Sequence, residues 1–173
     1  MEYTDIVCDT QNIPECRFIL KNKGTKPLIV LGLNPSTADE SESDATIRKI
    51  IGFISRWNEA KTKDFDSFIM VNLYPLRETS PVKLLQKTKD ENIHKRNLEI
   101  LSSLLDENPF GHILLCYGDS VELVKWLKKC RDDIFTLLNQ YPCLHLYRLG
   151  NLTHLGNPRH PSRLSYNTEL TPF

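Results

Sequence analysis

Four short polar stretches hold the side chains best suited to chemistry, and each follows an apolar run or a turn. They are Asn34-Pro35-Ser36, Asn72-Leu73-Tyr74-Pro75, Gly118-Asp119-Ser120, and Arg159-His160-Pro161-Ser162-Arg163-Leu164-Ser165. A carboxamide such as Asn34 or Asn72 sets a hydrogen-bond acceptor beside a donor pair, which suits the edge of a heterocyclic base, or equally the backbone of a strand end. His160 offers a ring nitrogen that can donate without carrying a full charge. The guanidinium of Arg163, and after it those of Arg48 and Arg77, suits two-pronged contact with phosphate.

Residues this far apart act together only if the fold gathers them. The runs Leu28–Leu31, Phe68–Val71, His112–Tyr117 and Leu144–Leu149 are short, continuous and closed by turn residues, as expected of strands buried on both faces of a parallel sheet. Between the first two, Asp44 precedes Ile47, Ile50, Ile51 and Ile54, an amphipathic helical stripe behind a good N-cap residue. Ile93, Ile100, Leu101, Leu104 and Leu105 mark a second helix, and Val121, Leu123, Val124, Trp126 and Leu127 the start of a third. Alternating strands and helices bring all the parallel strands' C-terminal ends to one sheet edge, where open α/β domains bind ligands. The four polar stretches are therefore expected around one cleft.

The remaining features narrow the class. A chain of 173 residues is read as a single domain, 1–173, with residues 1–26 an N-terminal extension packing on the sheet. No apolar run is long enough to span a bilayer and the N-terminus lacks the basic start and apolar core of a signal peptide, so no membrane association and a cytoplasmic location are expected. Cys8, Cys16, Cys116, Cys130 and Cys143 are widely spaced, which predicts reduced thiols and neither a zinc site nor an iron–sulfur cluster. With 22 basic and 22 acidic side chains there is no global field for nucleic acid. The interval Ile134–Thr168 nevertheless holds no Asp or Glu, while it holds His145, Arg148, His154, Arg159, His160 and Arg163. That interval is either a local anion-binding face or a chance run in a strand and its loop.

Gly32-Leu33-Asn34-Pro35-Ser36 resembles the first motif, G-I-N-P-G or G-M-N-P-G, of the uracil-DNA-glycosylase superfamily. His160-Pro161-Ser162-Arg163-Leu164-Ser165 resembles its H-P-S-P-L-S motif. Asn72-Leu73-Tyr74-Pro75-Leu76 is similar to an N-x-C-P-L stretch, and Leu114–Gly118 to a third strand ending in W-G. A nearer resemblance is to a family of small bacterial proteins of unknown function with the signatures L-N-P-S-T-A-D, D-x-T-I-R, V-N-L-x-x-L-R and R-H-P, all present here.

The superfamily resemblance implies a three-layer αβα sandwich around a four-stranded, mainly parallel sheet. It implies an enzyme that flips a uracil-like or C5-modified pyrimidine out of DNA and hydrolyses its N-glycosidic bond without a cofactor or metal, in base repair or in defence against modified phage DNA. By the same resemblance Asn34 positions the attacking water and His160 stabilises the departing base. Asn72, Ser36 and Tyr74 bind the base, while Ser162, Arg163, Leu164, Ser165, Gly118 and Ser120 meet the DNA, with Leu164 as the wedge. Its fastest members carry Asp at the position of Asn34, so slow chemistry is expected. Where selective members carry Tyr, Ser36 leaves room for C5 substituents.

Bland readings stand beside these roles. Asn34 and Asn72 could simply close turns, His160 could be a loop residue, and Leu164 could return to the core. Two departures bear on function. Thr37–Lys49 contains no aromatic ring to stack on a base, leaving Tyr74 as the nearest substitute, and Asp39, Glu40, Glu42 and Asp44 place negative charge after the first motif. The expected partner is DNA, single- or double-stranded, or a nucleotide, with no obligate protein partner. The competing expectation is a non-catalytic module that retains the pocket and binds a nucleotide or nucleic acid.

Overall fold

A computed structural model describes residues 1–173, the side chain of Pro81 excepted. The elements run β1 (Val7–Asp9), β2 (Ile19–Lys21), β3 (Pro27–Gly32), α1 (Ala45–Glu59), β4 (Ser67–Asn72), α2 (Glu91–Glu107), β5 (His112–Leu115), α3 (Lys125–Leu138), β6 (His145–Leu149) and β7 (Leu170–Pro172). They build one α/β sheet of seven strands in the order β1-β2-β4-β3-β5-β6-β7.

The four apolar runs form the central parallel strands β4, β3, β5 and β6. The sheet nevertheless has seven strands where four were expected, because β1, β2 and β7 add antiparallel at its margins. Each of these is three residues long, too short to show the alternation by which a strand is read. The N-terminal extension thus joins the sheet instead of lying on it, with Leu20 opposite Met70.

Side-chain alternation sorts the sheet into two faces. Ile29, Leu31, Ile69, Val71, Ile113 and Leu115 pack in one core with Leu101, Leu104 and Leu105 of α2 and Leu127, Cys130 and Ile134 of α3. Leu28, Val30, Phe68, Met70, Leu114 and Cys116 pack in the other with Ile47, Ile50, Phe53 and Ile54 of α1. Helices therefore cover both faces.

Asp44 caps α1 as its position implies, its Oδ1 accepting from the Ile47 N–H at 2.8 Å. Asp90 does the same for α2 through Asn92 and Ile93. The third helix begins later than its apolar pattern predicts. Asp119–Leu123 is a 3-10 turn, Val124 is extended, and α3 starts at Lys125. Val121, Val124 and Leu127 are all buried, and their threefold spacing fits a 3-10 turn as well as an α-helix. Among the described residues no helix is long and apolar enough to cross a membrane.

Candidate functional site

The strand order puts the C-terminal ends of β3, β4, β5 and β6 on one edge, and a cleft of about 870 Å³ opens there. Asn34, Ser36, Gly118, Ser120, His160, Ser162, Arg163 and Leu164 all line it, so the fold gathers residues from three of the four polar stretches.

Asn34 sits in a clasp. Its Nδ2 donates to the carbonyls of Pro35 at 2.9 Å and Glu78 at 2.7 Å, with Leu76 O at 3.5 Å. Glu78 returns a backbone bond to Pro35 O, so two loops are sewn together through this carboxamide. Committing Nδ2 in this way fixes the side chain and leaves Oδ1 as an acceptor for whatever enters the cleft.

His160 is held by its own turn. Its Nδ1 lies 2.9 Å from Ser162 Oγ and 3.4 Å from the Ser162 N–H, which donates to it. An accepting Nδ1 assigns the proton of the neutral ring to Nε2, making that atom a donor toward the cleft. The ring is exposed by surface area, yet protein surrounds it closely. Desolvation lowers its pKa from the usual 6.5, against a smaller upward pull from Asp44 and with a further downward push from Arg163. The neutral donor is thereby favoured.

Asn72 lies just below the cleft floor. It follows Phe68 and Met70 on the α1 face of β4, pairs with Gly32, and is 1% exposed. Neither Nδ2 nor Oδ1 of its carboxamide has a partner, while its backbone carbonyl accepts from Asn97 Nδ2 at 3.0 Å. A Cβ built on Gly32 would stand 2.9 Å from Asn72 Oδ1. Gly32 and Met70 both line the cleft. An orphaned carboxamide at this depth costs roughly 1–3 kcal/mol of unrecovered desolvation, which a ligand can repay.

Tyr74 lies elsewhere. It is buried against Trp126 with ring centroids 4.8 Å apart, and its hydroxyl accepts from the Asp90 N–H at 3.0 Å. It belongs to the core on the α2–α3 side and does not line the cleft. The strand ends at Asn72, so the alternation that aims a residue two positions on no longer holds at Tyr74. The aromatic side chains that do line the cleft are Tyr117, His154 and His160. Burial pushes the Tyr117 phenol up to about 12.

Leu164 is half-buried, packed against the core under α1, and its carbonyl accepts from Lys49 Nζ at 2.7 Å. The exposed leucines near the cleft are Leu152, which lines it, and Leu155. Ser165 is exposed outside the lining, where its Oγ accepts from the Asn167 N–H. Of the basic residues in the acid-free interval, His154, Arg159, His160 and Arg163 line the cleft. His145 instead stacks on His112 at the other end of β6, and Arg148 bonds to the Gly150 carbonyl. Arg48 and Arg77 donate to backbone carbonyls, at Ser43 and Ala38, outside the lining.

Of the acidic cluster, Asp39 and Asp44 are engaged by local structure, Asp44 as the α1 cap that also lines the cleft. Asp39 Oδ1 accepts from Ser41 N, Ser41 Oγ and Glu42 N, bonds that hold its carboxyl below the usual range. Among the described residues no group of three His, Cys, Asp or Glu side chains is placed to hold a metal ion.

Of two further cleft residues, Asp119 belongs to a polar stretch expected there, whereas Arg17 lies outside all four. Asp119 accepts from Thr153 Oγ1 at 2.6 Å and Asn157 Nδ2 at 3.0 Å, tying the loop after β6 to the end of β5. Arg17 reaches the cleft from the chain before β2 and is 2% exposed. It stands directly between Cys16 and Phe18, both buried in the fold, a setting that no motif or periodicity announces.

A family model described as a protein of unknown function, DUF1643, matches residues 17–162, well over half of the chain. No curated protein and no solved structure matches.

Proposed function

The chain belongs to the DUF1643 family, and from that premise we propose that its cleft is the active site of a DNA glycosylase-like hydrolase. The site takes a uracil-like or C5-modified pyrimidine and hydrolyses the bond from its N1 to the sugar C1′. The observation that carries this reading is the orphaned Asn72 carboxamide just beneath the cleft floor, an unmet donor and acceptor side by side behind the lining residues Gly32 and Met70. The N3–H and O4 edge of uracil supplies the complementary pair, and a flipped amide suits the N3 and N4 edge of cytosine.

The chemistry needs groups for two developing charges. As the C1′–N1 bond breaks, its electron pair stays on the base and the sugar becomes oxocarbenium-like. The neutral His160 Nε2–H is suited to a hydrogen bond to the base oxygen on which that negative charge accumulates. Water adds to C1′, oriented by Asn34 Oδ1. A carboxamide accepts a hydrogen bond from that water but cannot take its proton, so the proton passes to the leaving base or to solvent and the reaction is slow. Ser36 leaves the adjoining wall of the cleft uncrowded, and Arg159 and Arg163 at the rim suit phosphates on either side of a flipped nucleotide. Leu152 and Leu155 are better exposed than Leu164 to fill the vacated stack.

The test is strand scission by alkali after incubation with oligonucleotides carrying uracil, hypoxanthine, thymine opposite guanine, or hydroxymethylated or glucosylated cytosine. Abasic sites formed by the wild type and lost in both His160→Ala and Asn34→Ala are the expected result. One observation favours a second reading, a non-catalytic nucleotide or nucleic-acid binding module: the Asn34 amide nitrogen is wholly engaged in joining two loops. Absence of scission on every substrate, together with binding that depends on Asn72, selects that reading.

A further inference from the structure

Arg17 is built unlike the basic residues at the rim. Its backbone N–H donates to the Pro75 carbonyl at 2.8 Å, fixing the chain before β2 against the end of β4. Its side chain is sealed beneath the loop that follows β3, where Nη1 donates to the Ala38 carbonyl at 2.8 Å. That carbonyl also accepts from Arg77 Nη1 at 3.2 Å. Nε is buried without a partner, and among the described residues Nη2 has none either. Arg17 lines the cleft together with Gly32 and Met70, the two residues that border the Asn72 carboxamide.

The charges around it leave the cation incompletely balanced. Among the described residues no carboxylate stands within ion-pair distance. Burial weighs most against its charge, Asp44 attracts it from farther off, and Arg77 repels it. The Asp44 carboxylate is already committed to capping α1. Removing a guanidinium from water is unfavourable unless hydrogen bonds and an opposite charge restore what is lost. Nη1 is used, so the open edge is the one formed by Nε and Nη2. That is the edge that grips an oxyanion through two parallel bonds.

We infer that the inner end of the cleft binds an oxyanion carried by the ligand itself, held side-on by Nε and Nη2 of Arg17. The backbone phosphates of DNA belong at the rim, near Arg159 and Arg163. An unmodified pyrimidine is neutral, so the ligand that reaches Arg17 bears an acid group at its buried end. That group is either a carboxylate on the base or the phosphate of a free nucleotide that enters phosphate-first. The inference does not rest on glycosylase chemistry, because a binding site for either ligand serves it equally.

Inorganic phosphate and acetate, titrated separately at constant ionic strength in chloride buffer, are the probes. The readout is the Nε–H resonance of Arg17 in the ¹⁵N-labelled wild-type protein, assigned through its own side-chain correlations. A saturable displacement of that resonance is expected from one anion at concentrations where the other has little effect, and which anion acts identifies the group. In Arg17→Lys, which keeps the charge and loses the fork, the affinity for the active anion should fall at least about tenfold. If neither anion moves the Arg17 signal, or if Arg17→Lys binds as tightly as the wild type, the inference is overturned. Because the first readout uses only the wild type, a variant that fails to fold leaves it decisive. Because it reads binding without turnover, a failed scission assay leaves it standing.

Discussion

Gly118 and His160 are in near-contact: a Cβ placed on Gly118 would stand 3.1 Å from the Cβ of His160. Gly118 also has φ +68°, in the left-handed region, and its N–H donates to the Pro158 carbonyl at 3.0 Å. The end of β5 and the loop bearing the imidazole therefore meet at a glycine for two separate reasons. With ψ −178° the backbone lies in a region essentially restricted to glycine, and Gly118→Ala should cost about 1–3 kcal/mol for that conformation alone, read from denaturant midpoints. It should also displace His160, so activity should fall further than the loss of stability explains.

Asn34→Asp is the substitution that the superfamily resemblance favours for faster chemistry, and here it should fail. A carboxylate cannot donate to Pro35 O and Glu78 O, where Nδ2 now does. It would instead set negative charge against two carbonyl oxygens. A stability loss of roughly 1–3 kcal/mol is expected, measured by urea denaturation, with no gain in turnover. A faster and equally stable Asn34→Asp variant would show that the clasp is dispensable.

Asn72→Leu should separate stability from function. Both polar atoms of the carboxamide are buried and unpaired, so an apolar side chain of similar size removes a penalty and no bond. Stability should stay within about 1 kcal/mol of wild type or rise, while ligand binding is lost. Asn97→Ala should do the opposite, destabilising the fold by stranding the Asn72 and Leu73 carbonyls that Asn97 now serves.

The depressed pKa of His160 carries a signed pH dependence. Below the ordinary value of 6.5, the unfolded chain binds a proton at this site before the folded one does. Stability is therefore unaffected by His160 above that pH and declines as pH falls through it, until the folded-state pKa is also passed. His160→Gln should lose that component of the acid slope in thermal melts taken across the range. Activity that depends on the neutral ring should persist to lower pH than an unperturbed histidine permits.

The legibility of these features in the sequence follows their physics. β3, β4 and β5 announce themselves because both sides of each strand are buried, which forces unbroken apolar runs. The α1 boundary is legible because Asp44 does local work that any helix start requires. Residues placed immediately after a strand, such as Asn34 and Gly118, fall at the cleft because strand direction alone carries them there. Tyr74 does not, since a residue beyond the last rung obeys the turn and not the pleat. Arg17 is invisible to motif and periodicity alike. Its position depends on pairing between β2 and β4, segments separated by some 45 residues.

The register of β4 constrains how the family can diversify. Phe68, Met70 and Asn72 share one face while Ile69 and Val71 share the other. One residue inserted or deleted within Ser67–Asn72 would exchange the two sets. It would turn the carboxamide under α2 and leave an aliphatic side chain beneath the cleft floor. Lineages that retain the cleft can therefore lengthen or shorten the connection between α1 and β4, but β4 itself can change only by substitution.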